Sequence, residues 1–190
     1  MLKRSFDLLL TVNSILVLSP LLILSCILIS LTSKGPVFFK QDRLGKGGKV
    51  FKLYKFRTMT HKNRKPKEQV FGDNPEVTMV GKFLRRLKID ELPQLINVLK
   101  GDMSFIGPRP CLPELEDEFD ENGKIRLKVR PGLSGLAQIN GNIYLSWPER
   151  WKYDAEYVKQ QSFILDLKII LKTFLIVFFG EDKFIKKSDE

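Results

Sequence analysis

Two adjacent carboxylates set among cations are the part of this chain best suited to chemistry. The run Lys88-Ile89-Asp90-Glu91-Leu92-Pro93 places Asp90 directly before an apolar periodicity, at or near a helix N-terminus. Exposed N–H groups and the helix dipole favour an ionised carboxylate there. Arg85, Arg86 and Lys88 push the same way by adding positive charge. Such a carboxylate can act as a nucleophile toward phosphorus or ligate Mg2+, a hard cation that accompanies phosphates. The same spacing also describes a routine Asp N-cap with Glu in the first turn, and position alone leaves both readings open. The turn Pro108-Arg109-Pro110 presents Arg109 on a rigid frame suited to bidentate phosphate or base recognition, or simply to a surface arginine.

Composition narrows the alternatives. The chain has 190 residues and a net charge of +10, from 32 Lys and Arg against 22 Asp and Glu. That length fits one domain, and 43% apolar residues is enough to fold. His61 is the only histidine, which argues against a Ser-His-Asp triad and a multi-histidine metal site. Two cysteines, Cys26 and Cys111, exclude a disulfide scaffold and fit reduced thiols facing the cytoplasm. Residues 34–67 carry twelve Lys or Arg against a single acid, Asp42. Charge of that density suits anionic lipid, a diphosphate or nucleic acid, and on an alternating strand it also suits a solvent face.

The elements that must position these groups begin with an uncharged run, Leu8 to Ser33. As a straight helix it would measure roughly 39 Å, longer than the ~30 Å hydrocarbon core. A cleaved signal peptide fits poorly, because the run is long and no A-x-A site closes it. A plain span is opposed by Ser19-Pro20 near the midpoint, where proline kinks or breaks a helix. A re-entrant hairpin bending at Ser19-Pro20 keeps both basic flanks on the cytoplasmic side, and Asn13 and Ser19 can satisfy freed carbonyls. Beyond it, 37–41 and 50–59 alternate and read as a β-hairpin. Residues 80–87 are helical in texture. Leu92, Leu95, Ile96 and Leu99 form a helical stripe that Gly101 stops. The acids of 114–121 read as a solvated face. Ser146 to Glu149 forms a capping box that opens a helix through Val158. Phe163 to Phe179 is apolar with its polar residues on one side, an amphipathic interfacial helix or a buried core helix.

These blocks together carry a family resemblance. DELPQLINVLKGDMSFIGPRP at 90–110 resembles the signature block of the bacterial sugar transferases, the monotopic phosphoglycosyl transferases. KRSFD at 3–7, Ser19-Pro20, KLYKFRTM at 52–59, RPGLSGLAQING at 130–141 and YDAEYV at 153–158 follow in the family's order. The resemblance implies transfer of a sugar-1-phosphate from a UDP-sugar to polyprenyl (undecaprenyl) phosphate, releasing UMP, as the first membrane step of glycoconjugate assembly. It makes Asp90 the nucleophile of a covalent phosphosugar intermediate and Glu91 its partner carboxylate, helping the acceptor attack. It puts Mg2+ between Asp90 and the diphosphate. Lys55, Arg85, Arg109 and Arg130 fall at motif positions for phosphates or uridine. Asn142 stands where the family commonly has arginine, so Asn142 becomes a candidate contact to a sugar hydroxyl or acetamido group, and an N-acetylated amino sugar is the first expectation.

The fold expected is α+β: a re-entrant helix-break-helix over 1–34, then a cytoplasmic α/β catalytic core with interfacial helices over 35–190. The implied place is the cytoplasmic face of the inner membrane. Membrane lipids and a second copy of the chain are expected partners, and nucleic acid is not. The rival readings are a non-catalytic membrane-anchored adaptor gripping anionic lipid or RNA through 34–67, and a bitopic protein with an extracytoplasmic domain.

Overall fold

The computed structural model of the chain describes residues 2–60, 74 and 76–180. The basic run at 61–67, His61 included, lies outside the described residues.

Helix α1 spans Leu2–Thr32 without interruption, with Pro20 inside it. The expected helix-break-helix is corrected in this respect, and the reason is local. Pro20 has no N–H to give to the carbonyl of Leu16, and Ser19 Oγ donates to that carbonyl instead at 2.8 Å. Asn13 Nδ2 likewise donates to the carbonyl of Leu9 at 2.8 Å. Asp7, Thr11, Ser25 and Ile29 are buried and share one helical face. Leu9, Val12, Leu16, Val17, Ile23, Leu24 and Leu31 are exposed on the others.

The hairpin forms as its alternation predicts. Strand β1 (Phe38–Leu44) pairs antiparallel with β2 (Val50–Phe56), Phe39 opposite Lys55 and Arg43 opposite Phe51. Helix α2 (Met79–Arg86) follows, then a tight 3-10 segment over Ile89–Gln94 that leads into α3 (Leu95–Lys100). Gly101 ends α3 at φ 92°. The expected stripe on 90–99 is corrected: Leu95 and Val98 are buried together with Asn97, while Ile96 and Leu99 stay exposed. Pro93 lies in the 3-10 segment, whose turn of about three residues rotates the register away from that of an α-helix. Asn97 is the consequence. Its amide accepts from Tyr54 N at 3.0 Å and donates to Lys52 O at 2.8 Å, so a side chain completes the outer edge of β2.

A parallel pair, β3 (Ser104–Ile106) and β4 (Gly132–Ser134), lies beyond α3. Helix α4 (Glu121–Arg126) is capped by Asp120, and the acids from Glu114 to Glu121 are exposed, as read from the sequence. Helix α5 (Leu136–Asn140) precedes α6 (Trp147–Gln160), which carries the Ser146–Glu149 capping box, and α7 (Phe163–Phe179) closes the described chain.

On α7 two of the polar residues, Asp166 and Thr173, turn into the protein, while Lys168 is exposed. Asp166 is buried and accepts from Tyr157 Oη at 2.7 Å and Lys3 Nζ at 2.6 Å. Thr173 meets Ser134 at 2.6 Å. Phe163, Ile164, Leu171, Phe174 and Phe178 are exposed. The Phe6 and Phe163 rings meet edge to face at 4.9 Å, which joins α1 to α7.

Both ends of α1 are fixed to the same body. Near its start, Arg4 donates to the carbonyls of Val98 and Leu99, and Asp7 accepts from Ser104 Oγ at 2.7 Å and Phe105 N at 3.1 Å. Near its end, Ile29 packs with Phe56, Leu84 and Ile89. Arg57 then donates to the carbonyl and hydroxyl of Ser33 at 2.7 and 2.8 Å.

Candidate active site

The site is assembled where β2, α2, the 3-10 segment and the loop after β3 converge. Thr78 caps α2 by accepting from Gly81 N at 2.9 Å. Gly81 lies so close to Thr58 that a Cβ there would collide with the Thr58 carbonyl. That approach lets Arg85, one turn on, donate from Nε to Thr58 Oγ1 at 2.9 Å. Lys88 then takes a left-handed conformation, φ 56°, which turns the chain from α2 into the 3-10 segment carrying Asp90 and Glu91.

The two carboxylates meet opposite electrostatics. Glu91 Oε1 accepts from Lys55 Nζ at 2.8 Å and Arg109 Nη2 at 2.6 Å, and Oε2 accepts from Arg109 Nη1 at 3.2 Å. Burial opposes its ionisation, but Arg109 and then Lys55 hold it well below the usual carboxylate range. Asp90 is buried, and burial, then the charge of Glu91, pushes it up to about 6 against the pull of Lys55, Arg85 and Lys88. The sequence argument expected a helix end to keep Asp90 ionised. Its segment is a short 3-10 turn in which burial outweighs that help.

The loop bearing Arg109 is held from behind. Arg126 Nη2 donates to the Arg109 carbonyl, and Arg126 Nε pairs with buried Asp154 of α6 at 3.0 Å. Leu44 N donates to the Cys111 carbonyl at 3.0 Å. Gly107 and Gly132 pass so closely that a Cβ on either would strike the other strand's backbone, which fixes where the loop begins.

Asp90, Glu91, Lys55, Arg85 and Arg109 thus form one cluster. Arg130 is exposed and donates from Nε to the Gly101 carbonyl at 2.7 Å, at the end of α3. Asn142 follows Gly141 at φ 49°, a left-handed position that asparagine tolerates better than most residues. Arg43 belongs with the cluster and was not singled out from the sequence. The hairpin register puts it on the face of Gln41 and Lys55, and counting back along the alternation from Lys55 would have found it.

Among the described residues no group of three or more His, Cys, Asp or Glu is placed to hold a metal by itself. One or two carboxylates are nevertheless the usual protein share of a Mg2+ site completed by substrate phosphates and water, and Asp90 is the carboxylate here that would hold one, since both oxygens of Glu91 are taken by Lys55 and Arg109.

The family model described as bacterial sugar transferase matches residues 1–180. The chain belongs to the bacterial sugar transferase family. It is 45% identical over 172 residues to the uncharacterized sugar transferase EpsL of Bacillus subtilis (strain 168), covering 90% of this chain and 85% of EpsL. It is 41% identical to the UDP-glucose:undecaprenyl-phosphate glucose-1-phosphate transferase of Escherichia coli (strain K12), covering 99% of this chain and 41% of that protein. It is 44% identical to the UDP-N-acetylgalactosamine-undecaprenyl-phosphate N-acetylgalactosaminephosphotransferase of Aeromonas hydrophila, covering 94% of this chain and 44% of that protein. Against those two transferases the chain spans less than half their length. In this bacterial sugar transferase the resemblance read from 90–110 therefore holds for the family, and the cluster around Asp90 is built largely from that block.

Proposed function

We propose that this chain transfers a sugar-1-phosphate from a UDP-sugar to undecaprenyl phosphate and releases UMP. The observation that carries the reading is the unequal carboxylate pair: a buried Asp90 beside a Glu91 gripped by Lys55 and Arg109. Phosphoryl transfer asks for a positioned nucleophile and fixed cations rather than covalent chemistry from many residues, and the cluster has that composition. The activities for which the Escherichia coli and Aeromonas hydrophila relatives are named support the same reaction class.

In the first half, an ionised Asp90 oxygen bonds to the phosphorus that carries the sugar. The bond from that phosphorus to the bridging oxygen breaks, and the oxygen leaves with its electron pair on UMP. In the second half, a phosphate oxygen of the acceptor attacks the same phosphorus and returns Asp90 as a carboxylate. Mg2+, held by Asp90, would screen the charge of the diphosphate. Glu91 is too acidic to be an effective base, and its role here is to hold Lys55 and Arg109 in place as the acceptor enters.

The reading extends to the membrane. α1 is the one described helix long and apolar enough to cross a bilayer, with a mean hydropathy of 2.6 over its best window. Its ends nonetheless share one body, and the outward faces of α1 and α7 are apolar. We read α1 as a continuously bonded helix that bends at Pro20, entering the inner membrane and returning to the cytoplasmic face, where a polyprenyl phosphate presents its charged end.

The deciding experiment measures UMP release with Mg2+, undecaprenyl phosphate and a panel of UDP-sugars, comparing the native chain with Asp90→Asn. Release by the native chain alone supports the reading and identifies the sugar. Equal release by both proteins removes Asp90 as nucleophile, and no release with any donor overturns the transfer reading.

A further inference from the structure

We propose that Arg43, together with Gln41 and Arg109, holds the departing phosphate of the donor, the one that leaves on UMP. The inference rests on the transfer reading above and adds to it a place for the leaving group.

Among the described residues no carboxylate is bonded to Arg43, and Glu91 and Glu114 act on it only from a distance. Nη2 donates to Gln41 Oε1 at 2.7 Å, and Nη1 lies 3.5 Å from the Pro110 carbonyl. Nε is buried and has no hydrogen-bond partner among the described residues. An orphaned, buried guanidinium donor is costly, and it is kept where an anion completes it. Burial, and next the charge of Arg109, lower Arg43 to about 10 against the opposing pull of Cys111, Glu91 and Glu114, so a further anion between the two guanidinium groups would ease their repulsion. A phosphate bound between them would relieve both the repulsion and the unmet donor. Gln41 fixes the fork from behind with its amide oxygen.

Contacts give the direction: Glu91, next to Asp90, bonds to Lys55 and Arg109, and Arg43 stands against the carbonyl of Pro110, the residue after Arg109. Phosphoryl transfer sets the attacking and leaving oxygens roughly in line on opposite sides of phosphorus. With Asp90 attacking from one end of these contacts, the bridging oxygen departs toward the other, which is the Arg109–Arg43 end. Charge builds on that oxygen as its bond to the sugar-bearing phosphorus breaks, and cations there stabilise the step.

The alternative role for Arg43 is to hold the 109–111 loop through Pro110, so the test separates the two. The full chain, in detergent with Mg2+, is compared with Arg43→Gln and Arg43→Lys for UMP affinity, for the KM of the UDP-sugar and of undecaprenyl phosphate, and for its unfolding midpoint. Loss of a charged phosphate contact should weaken UMP by about tenfold or more in Arg43→Gln and raise the UDP-sugar KM in step, while the acceptor KM stays within about twofold. Arg43→Lys keeps the charge, loses the fork and recovers part of the affinity. Unchanged UMP affinity in Arg43→Gln, or equal losses for both substrates, overturns the inference. If Arg43→Gln does not fold, Arg43→Lys decides: weaker UMP at an unchanged unfolding midpoint supports the site, and native UMP affinity overturns it. A native chain that releases UMP beside an Arg43→Gln that binds it normally sinks this inference alone. A native chain that neither releases nor binds UMP sinks the transfer reading and this inference together.

Discussion

Asp90 and Glu91 are neighbours with the same chemistry and opposite fates, and the difference lies in what each one touches. Lys55 and Arg109 bond to Glu91 directly. Asp90 is closed off from water and faces that ionised neighbour. With Asp90 raised to about 6 from the 3.8 of a free aspartate, the folded chain binds an extra proton between those values. Stability contributed by this group is therefore highest below the unfolded value and is lost as pH rises through about 6. Two consequences can be measured. In metal-free buffer near neutral pH, Asp90→Asn should unfold later than the native chain, by roughly 1–3 kcal/mol; equal or lower stability would contradict the burial argument. Because the nucleophile must be ionised, kcat/KM for the UDP-sugar should fall about tenfold per unit below about pH 6, and a profile flat down to about pH 5 would contradict it. Asn142 allows a third check. Its φ of 49° means Asn142→Gly should keep the unfolding midpoint, while Asn142→Arg loses about 1 kcal/mol. A donor ranking unchanged in Asn142→Arg would remove Asn142 as a sugar contact.

At the scale of elements, the cluster depends on how closely α2 approaches the end of β2. Gly81 makes that approach possible, and Arg85 uses it to reach Thr58. Gly81→Ala places a methyl group against the Thr58 carbonyl and must displace the helix. The expected result is a loss of about 1–3 kcal/mol in stability together with reduced UMP release, both read on the same preparation; native values for both would show that α2 does not position the site. The hairpin, α2, the capping box and the stop at Gly101 were legible in the sequence because each follows from local alternation, capping or glycine chemistry. The register of α3 was not, because Pro93 holds the preceding turn in 3-10 geometry and swings Asn97 inward. On α7 the polar side was legible but its partners were not: Asp166 bonds to Tyr157 and Thr173 meets Ser134, while the phenylalanines face out. Alternation from Lys55 reaches Arg43 and its neighbour Gln41, but the approach to Arg109 and Pro110, about 70 residues on, is one that no local pattern reports.

For the whole molecule, the question is what an apolar helix fixed at both ends implies about the bilayer. α1 has 31 residues, about 46 Å if straight, more than the hydrocarbon core needs. Crossing would nevertheless put Lys3 and Arg4 on one side and Ser33 on the other. Lys3 is bonded to Asp166, Arg4 to the carbonyls that end α3, and Ser33 to Arg57. Asp166 and Arg57 are themselves buried in the body that holds Asp90. A simple span would have to break one set of these contacts or draw charged, buried groups through the membrane, at several kcal/mol each. Re-entry keeps both sets and leaves only the outward stripe in lipid. Cysteines placed singly at Leu2 and Lys34, in a chain with Cys26→Ser and the buried Cys111 retained, should therefore react with an impermeant maleimide from the cytoplasmic side of sealed vesicles. One placed at Val17, exposed on the apolar face, should resist from both sides. Labelling of positions 2 and 34 from opposite sides would establish a crossing helix and move the Asp90 site away from the geometry in which an interfacial phosphate can reach it.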